Sequence, residues 1–379
     1  MYSLNAFGNM IADATRVEAY SKAIAAAVRH GDVVADIGCG AGLFSLLACR
    51  AGARRVFAIE ADDCIQLARE LAQANGLADR IEFLQSESTS TELPERANVI
   101  VSDIRGVLPL FQNAIPVLDD ARKRFLCAGG IMIPRQDTLK AGLIDAHEYY
   151  CDITSPWEKP IAGLDLSSPL SQALNRLHSS SFRREQLVSE PKEWGVLDYA
   201  TGAQASLGAE LEFVPTREGM AHGICLWFET NLFADIRFST QPGDHSVYGQ
   251  MFLPWLKAVA VHEGMRIHVA LRADLFKRDY VWRWETTVPA TGGQPQIRFT
   301  QSSFQGAPFA PQSLRHQELH FIPTLSETGE AELWILQQMR GDQTLQSIAQ
   351  GALERFPSVF SSRQAAFNRV AELSNKLSR

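Results

Sequence analysis

The stretch Val33-Val34-Ala35-Asp36-Ile37-Gly38-Cys39-Gly40-Ala41-Gly42 constrains this chain more than any other part of it. An apolar strand runs straight into a glycine-rich turn, a helical run follows, and Val56-Phe57-Ala58-Ile59-Glu60 makes a second strand that ends in an acid. Such a unit pairs its strands in parallel and holds a ligand beyond their carboxyl ends. The glycines let backbone come close to that ligand, where a Cβ would intrude. Glu60 stands where an acid accepts hydrogen bonds from the two hydroxyls of a ribose.

The spacing of the glycines narrows the ligand. A dinucleotide loop reads G-x-G-x-x-G and sets a pyrophosphate on a helix N-terminus, whereas here Asp36 opens the loop and would repel a phosphate. The run resembles motif I of the class I methyltransferases, and the resemblance implies S-adenosyl-L-methionine as cofactor and S-adenosyl-L-homocysteine as product. On this reading Asp36, Gly38, Gly40 and Glu60 hold the donor.

Around this unit the periodicity predicts a helix over 14–29, strands over 33–36, 56–60, 81–84 and 99–102, and helices over 43–50, 65–75 and 114–125. The alternation predicts a parallel sheet with helices on both faces over 1–134. Beyond Pro134 short β-rich segments, over 139–144, 209–213, 223–232, 265–271, 280–287 and 296–300, predict an antiparallel barrel or sandwich over 135–318. Three helices, over 330–340, 345–355 and 361–377, predict a small third module over 319–379. The expected fold class is therefore α/β, with a Rossmann-like domain, a β-barrel or sandwich, and a winged-helix-like end.

A length of 379 residues allows two or three domains, and 46% hydrophobic content lets each bury a core. A net charge of -7 argues against a nucleic-acid partner. No apolar window has the length of a membrane span, and residues 1–13 lack the pattern of a secretory signal. The six cysteines are scattered, without a C-x-x-C pair or a histidine at metal spacing, as expected of reduced thiols in a cytoplasmic protein that binds no metal.

Met10-Ile11-Ala12-Asp13-Ala14-Thr15-Arg16-Val17-Glu18-Ala19-Tyr20 is similar to the M-L-x-D-x-x-R-x-x-x-Y segment of the protein arginine methyltransferases. Ala51-Gly52-Ala53-Arg54-Arg55-Val56-Phe57-Ala58-Ile59-Glu60-Ala61 resembles that family's A-G-A-x-x-V-x-A-V-E-A. Trp157 with Gly163-Leu164-Asp165-Leu166-Ser167 looks like the opening of its barrel, ahead of the arm used for head-to-tail dimerisation. The resemblance spans about residues 1–320. It implies that Arg16 holds the cofactor's carboxylate, that Glu87 and Ser88 lie near the adenine, and that the chain forms a homodimer.

The departures from that family bear on the acceptor. The family's loop reads S-E-W-M-G followed by a second glutamate, two acids that grip a guanidinium. Here the loop is Ser102-Asp103-Ile104-Arg105-Gly106, and Gln112 replaces the second acid. Losing one acid and adding Arg105 predicts an acceptor that is a peptide or protein side chain other than arginine, because each charge in a partly buried pocket carries several kcal/mol. Arginine methylation remains the alternative if Arg105 only neutralises Asp103 or faces solvent. The family's T-H-W loop, whose histidine meets the aspartate equivalent to Asp13, is matched to Gly243-Asp244-His245-Ser246. Asp13 and His245 are then a candidate proton relay.

At the end of the chain, the apolar helix, the Gly341-Asp342-Gln343-Thr344-Leu345 turn and the Ile348-Ala349 pair look like the winged helix that recognises leader segments in ribosomal peptide biosynthesis. An extended peptide would add to a strand edge near residues 318–322. From another class, the chain could be a cofactor-binding regulator whose winged helix meets DNA, though the segment is not basic enough to favour phosphate contacts.

Overall fold

Asp13 divides the first two helices, α1 (Leu4–Ala12) and α2 (Ala14–Ala27), and its carboxylate caps the second by accepting the Arg16 backbone amide at 3.0 Å. In this computed structural model, which describes residues 3–290, 295–308, 310–316 and 318–378, the chain divides into two units, residues 1–308 and 309–379. After α2 come β1 (Val33–Ile37), α3 (Leu43–Ala51), β2 (Arg55–Glu60), α4 (Ile65–Ala74), β3 (Ile81–Gln85), β4 (Ala97–Ser102), α5 (Ala114–Phe125) and β5 (Leu126–Ile133). Their strands form one parallel sheet in the order β3-β2-β1-β4-β5. Every residue of β1 is buried, which is why that strand reads as an unbroken apolar run around Asp36. The order reverses between β1 and β4, so a crevice opens beyond Ile37 and Ser102, which lie side by side in the register.

The chain then enters β6 (Gln136–Ile144), α6 (His147–Glu158), α7 (Leu170–Leu174), β7 (His178–Ser180), β8 (Lys192–Asp198), β9 (Leu207–Phe213), β10 (Gly219–Phe233), β11 (Ile236–Ser239), β12 (Gln250–Val261), β13 (Ile267–Phe276), β14 (Asp279–Val288) and β15 (Ile297–Ser302). These strands make two antiparallel sheets, one in the order β7-β12-β10-β6-β8 with β11 on β10, the other β15-β14-β13-β9. Their inward residues, among them Trp194, Phe213, Trp255 and Trp284, join the buried core beneath the parallel sheet.

Strand β12 has no counterpart among the segments expected from the sequence, because Pro254 interrupts its apolar run and a proline cannot donate to a ladder. The fold absorbs it with a register shift in β10, where Gly223 faces Pro254. A Cβ at Gly223 would collide with the Leu253 carbonyl, so the bulge needs glycine.

The second unit holds α8 (Pro311–Arg315), α9 (Glu327–Gln338), α10 (Leu345–Arg355) and α11 (Arg363–Leu377). Ser326, Thr344 and Ser362 cap the last three by accepting backbone amides at 3.2 Å. Ala331, Ile335, Ile348, Ala352, Ala366 and Val370 form its core. Its described residues contain no strand, and residues 318–322 run through turn and coil. The expected winged helix thus lacks a wing, and the strand edge expected near 318–322 is not formed: three helices with a complete core of their own leave no strand to build either.

Candidate functional site

The glycine turn closes the crevice end of β1. Gly38, Gly40 and Gly42 all have left-handed φ, of 71°, 52° and 78°. A Cβ on Gly38 would run into Ile104 of the loop after β4, and one on Gly42 would meet Ala68 at 2.7 Å, so both positions exclude side chains. Glu60, at the end of β2, reaches across the turn. Its carboxylate accepts the amides of Gly40 and Asp62, both at 3.0 Å.

Gly38, Glu60, Glu87, Ser88, Ile104, Gln112 and Asp279 line a cavity of about 470 Å3 with Arg278, within the range that holds a nucleoside-sized ligand. Three acids against one arginine make its wall unsuitable for a phosphate. Glu87 is paired with Arg278 of the β13–β14 hairpin at 3.3 Å, and the Ser88 carbonyl is held by Arg124 at 2.6 Å. Nothing in the sequence marked Arg278, which reaches the crevice from nearly two hundred positions away. Gln112 reaches the rim with a left-handed φ of 45°.

Asp36 lies beneath the turn. Ser45 donates to its Oδ2 at 2.6 Å, while its buried Oδ1 has no hydrogen-bond partner among the described residues. Burial pushes its carboxyl up to about 7, against the Ser45 hydrogen bonds and the positive charge of Arg16. A ribose-bearing cation fits this set: Glu60 offers acceptors at the cavity wall, the glycines admit backbone contact, and the partnerless Asp36 oxygen lacks positive charge.

Arg16, Asp103 and Arg105 gather in a buried network, and the same loop lends Ile104 to the cavity wall. Arg16 donates from Nε to Asp103 at 2.6 Å, and its guanidinium lies 4.8 Å from the ring centre of Phe44, just past the glycine turn. Tyr248 places its hydroxyl 2.7 and 2.6 Å from the two oxygens of Asp103. Arg105, 1% exposed, donates to Asp103 at 3.1 Å, to Asp137 at 2.7 Å, to Thr230 at 2.9 Å and to Tyr20 at 2.8 Å. Phe228 packs against its guanidinium at 4.9 Å, and Tyr199 donates to the other Asp137 oxygen at 2.7 Å. Burial would raise Asp103, but Arg16 and Arg105 outweigh it and hold the carboxyl below its ordinary value.

Arg105 therefore belongs to the junction of the parallel sheet with the barrel. Its charge is matched by Asp103 and Asp137, so it does not present a free cation to an acceptor. Asp137, Tyr20, Tyr199 and Tyr248 were not among the expected site residues. Only Tyr20 had a sequence signal, as the last residue of the M-L-x-D-x-x-R-x-x-x-Y likeness.

The expected relay between Asp13 and His245 is not formed. One Asp13 oxygen caps α2, and the other accepts the Val247 amide at 2.9 Å. His245 is exposed and makes no hydrogen bond among the described residues. The loop meets Asp13 two residues later than expected, at Ser246-Val247-Tyr248. Valine stands where T-H-W has histidine, and tyrosine where it has tryptophan. His245 is the nearest histidine in the sequence, but Val247 and Tyr248 set the register of this loop. We expect His245→Ala to leave cofactor affinity and turnover within about twofold of the parent, as for a surface change away from packed features. Asp13→Ala should lower stability by about 1 kcal/mol through the lost cap. Titration calorimetry, initial rates and thermal melts check both, and a large turnover loss in His245→Ala would restore the relay.

Comparison with known proteins matches residues 12–149 to the family model described as ribosomal protein L11 methyltransferase. The chain is 30% identical over 229 residues to "Probable protein arginine N-methyltransferase 6" of Arabidopsis thaliana, covering 58% of this chain and 52% of that one. It is 28% identical over 233 residues to protein arginine N-methyltransferase 1.1 of the same plant, covering 60% of each. The chain thus spans between half and two thirds of the length of these relatives. Among solved structures, a Trypanosoma brucei PRMT1 enzyme-prozyme heterotetrameric complex with AdoHcy superposes with a TM-score of 0.72 at 21% identity, over 78% of this chain and 96% of that one. The parallel sheet followed by the antiparallel barrel is the fold of the protein arginine methyltransferases. These relatives, named for arginine, and the compensated charge of Arg105 overturn the expectation of an acceptor other than arginine.

Proposed function

We propose that this chain is an S-adenosyl-L-methionine-dependent protein arginine N-methyltransferase. The observation that carries the reading is the cavity at the reversal of the parallel sheet, where Gly38 and Glu60 line the wall, a partnerless Asp36 oxygen lies beneath the glycine turn, and the loop that bears Asp103 contributes its neighbour Ile104. The names of the relatives support arginine as the acceptor. When bound, the cofactor supplies a methyl group on a sulfonium, open to in-line displacement. Glu60 holds the ribose, Asp36 faces the cationic end, and Arg16 takes the carboxylate. Glu87 and Ser88 border the adenine. Asp103 orients the acceptor guanidinium, with Gln112 at the rim. Alignment then provides most of the rate.

The protein substrate, the homodimer and a cytoplasmic location belong to this proposal. The exposed Ile161 and Leu164, on the stretch that resembles the approach to a dimerisation arm, support the dimer. No helix of the described residues is long and apolar enough to cross a membrane. The terminal helical unit is, on this reading, a peptide-recognition module that works through helix faces such as those bearing Leu333 and Phe367. Purified protein incubated with labelled cofactor and an arginine-containing protein mixture, followed by acid hydrolysis, should yield labelled methylarginines. Label confined to other residues would refute the acceptor.

Asp36 gives this reading a pH signature. Its pKa in the folded chain, about 7, lies above the ordinary carboxyl value of 3.8 because the group is buried. The unfolded chain therefore ionises first, and this group takes stability away as pH rises between those two values. A cationic ligand favours the ionised form. Binding of S-adenosyl-L-homocysteine, which keeps its ammonium group, should release part of a proton near pH 7. Calorimetry in two buffers of different ionisation enthalpy measures that release; equal heats in both would sink the assignment.

A further inference from the structure

Asp103 has no room for an acceptor in the arrangement seen here. A carboxylate offers about four lone-pair positions. Here Nε and Nη2 of Arg105 share Oδ1, both at 3.1 Å, while Nε of Arg16 takes Oδ2 at 2.6 Å and the single Tyr248 proton lies between the two oxygens. Four donors fill four positions. The Arg105 donors are locked, because the same guanidinium also serves Asp137, Thr230 and Tyr20. Arg16 is the movable member. Among the described residues its guanidinium otherwise donates to Tyr248 and to the Met10 carbonyl at 3.1 Å, on a helix with no buried residue, and it is close enough to the glycine turn for Asp36 to feel its charge.

We propose that the cofactor's carboxylate draws Arg16 off Asp103, that this exchange opens the Asp103 site to the acceptor, and that Tyr248 stays as the positioning residue which holds the freed carboxylate in place. The inference rests on the cofactor and acceptor assigned above. Arg16 exchanges one carboxylate for another, so no charge is left unpaired. Asp103 loses one cation and becomes ready for a second. Cofactor therefore binds before acceptor. Peptide affinity without cofactor is lowered by the fraction of molecules in which Arg16 is already released. The coupling is reciprocal, so bound peptide must tighten cofactor binding by the same factor.

The test uses the full chain labelled with 13C at the tyrosine Cζ position, with the Tyr248 resonance assigned from Tyr248→Phe. Addition of S-adenosyl-L-homocysteine should shift that resonance, because the hydroxyl loses its Arg16 neighbour. An arginine-containing peptide should bind at least about tenfold more tightly with S-adenosyl-L-homocysteine present than without it. Its citrulline counterpart, which lacks the charge, should bind equally under both conditions. Tyr248→Phe removes one of the four donors and should narrow the peptide's dependence on cofactor while raising its KM more than it lowers kcat. A Tyr248 signal unmoved by a saturating ligand, or equal peptide affinity with and without it, overturns the exchange. A moved signal with no peptide binding under either condition upholds the exchange and instead overturns arginine as acceptor.

Discussion

Arg105→Met is expected to destabilise the protein by about 3–5 kcal/mol, the cost of removing one partner from a buried ion pair. Arg105 is 1% exposed and Asp137 is fully buried, so the substitution strands a carboxylate that water cannot reach. Tyr199 and Thr230 would still donate to Asp137, but two hydroxyls do not replace a guanidinium. Burial already lifts Asp137 above its ordinary value against the pull of Arg105, so without that cation it would take up a proton on folding. Adding Asp137→Asn to Arg105→Met should recover part of the loss, because the amide needs no counter-charge. Urea denaturation of the parent and the two variants measures both effects. A loss below about 1 kcal/mol, the range of exposed pairs, would show that Arg105 does not anchor the junction.

The same residue shows where sequence reasoning reached its limit. The parallel sheet was legible because each strand is a short apolar run between helical stretches, and the glycine turn announces its own position through φ values that side chains avoid. Asp36 and Glu60 were legible for the same reason: their places follow from the ends of β1 and β2. Arg105 was visible as a departure from a pattern. Its partners Asp137 and Thr230 lie 32 and 125 positions further along the chain, and no local periodicity brings them together. Read without them, Arg105 is a free charge that excludes a guanidinium; read with them, its charge is matched. Tyr248 was missed because loop register carries no periodicity, and a nearby histidine drew the match two residues early. Strand β12 was hidden by its proline, whose missing N–H is harmless only because Gly223 sits opposite in the bulge.

Glu60→Ala should weaken binding of S-adenosyl-L-homocysteine by at least about 100-fold, since each hydrogen bond to a charged group contributes about 1.5–3 kcal/mol and two would be lost. On the proposed reading Glu60 has a second task besides meeting the ribose. It accepts the amides of Gly40 and Asp62, and so holds the middle of the glycine turn at the left-handed φ of 52° that Gly40 adopts. Alanine removes the ligand's acceptor and the turn's anchor together. Glu60→Gln separates these tasks, because its amide oxygen can still accept one backbone amide while its NH2 group would face a donor. An intermediate loss, about tenfold, is expected for it. Calorimetry gives the affinities, and thermal melts distinguish a vanished site from an unfolded chain. If Glu60→Ala bound within about threefold of the parent while remaining folded, the cavity at the reversal of the sheet would not be the cofactor site, and the assignments of Asp36, Arg16 and Glu87 would fall with it.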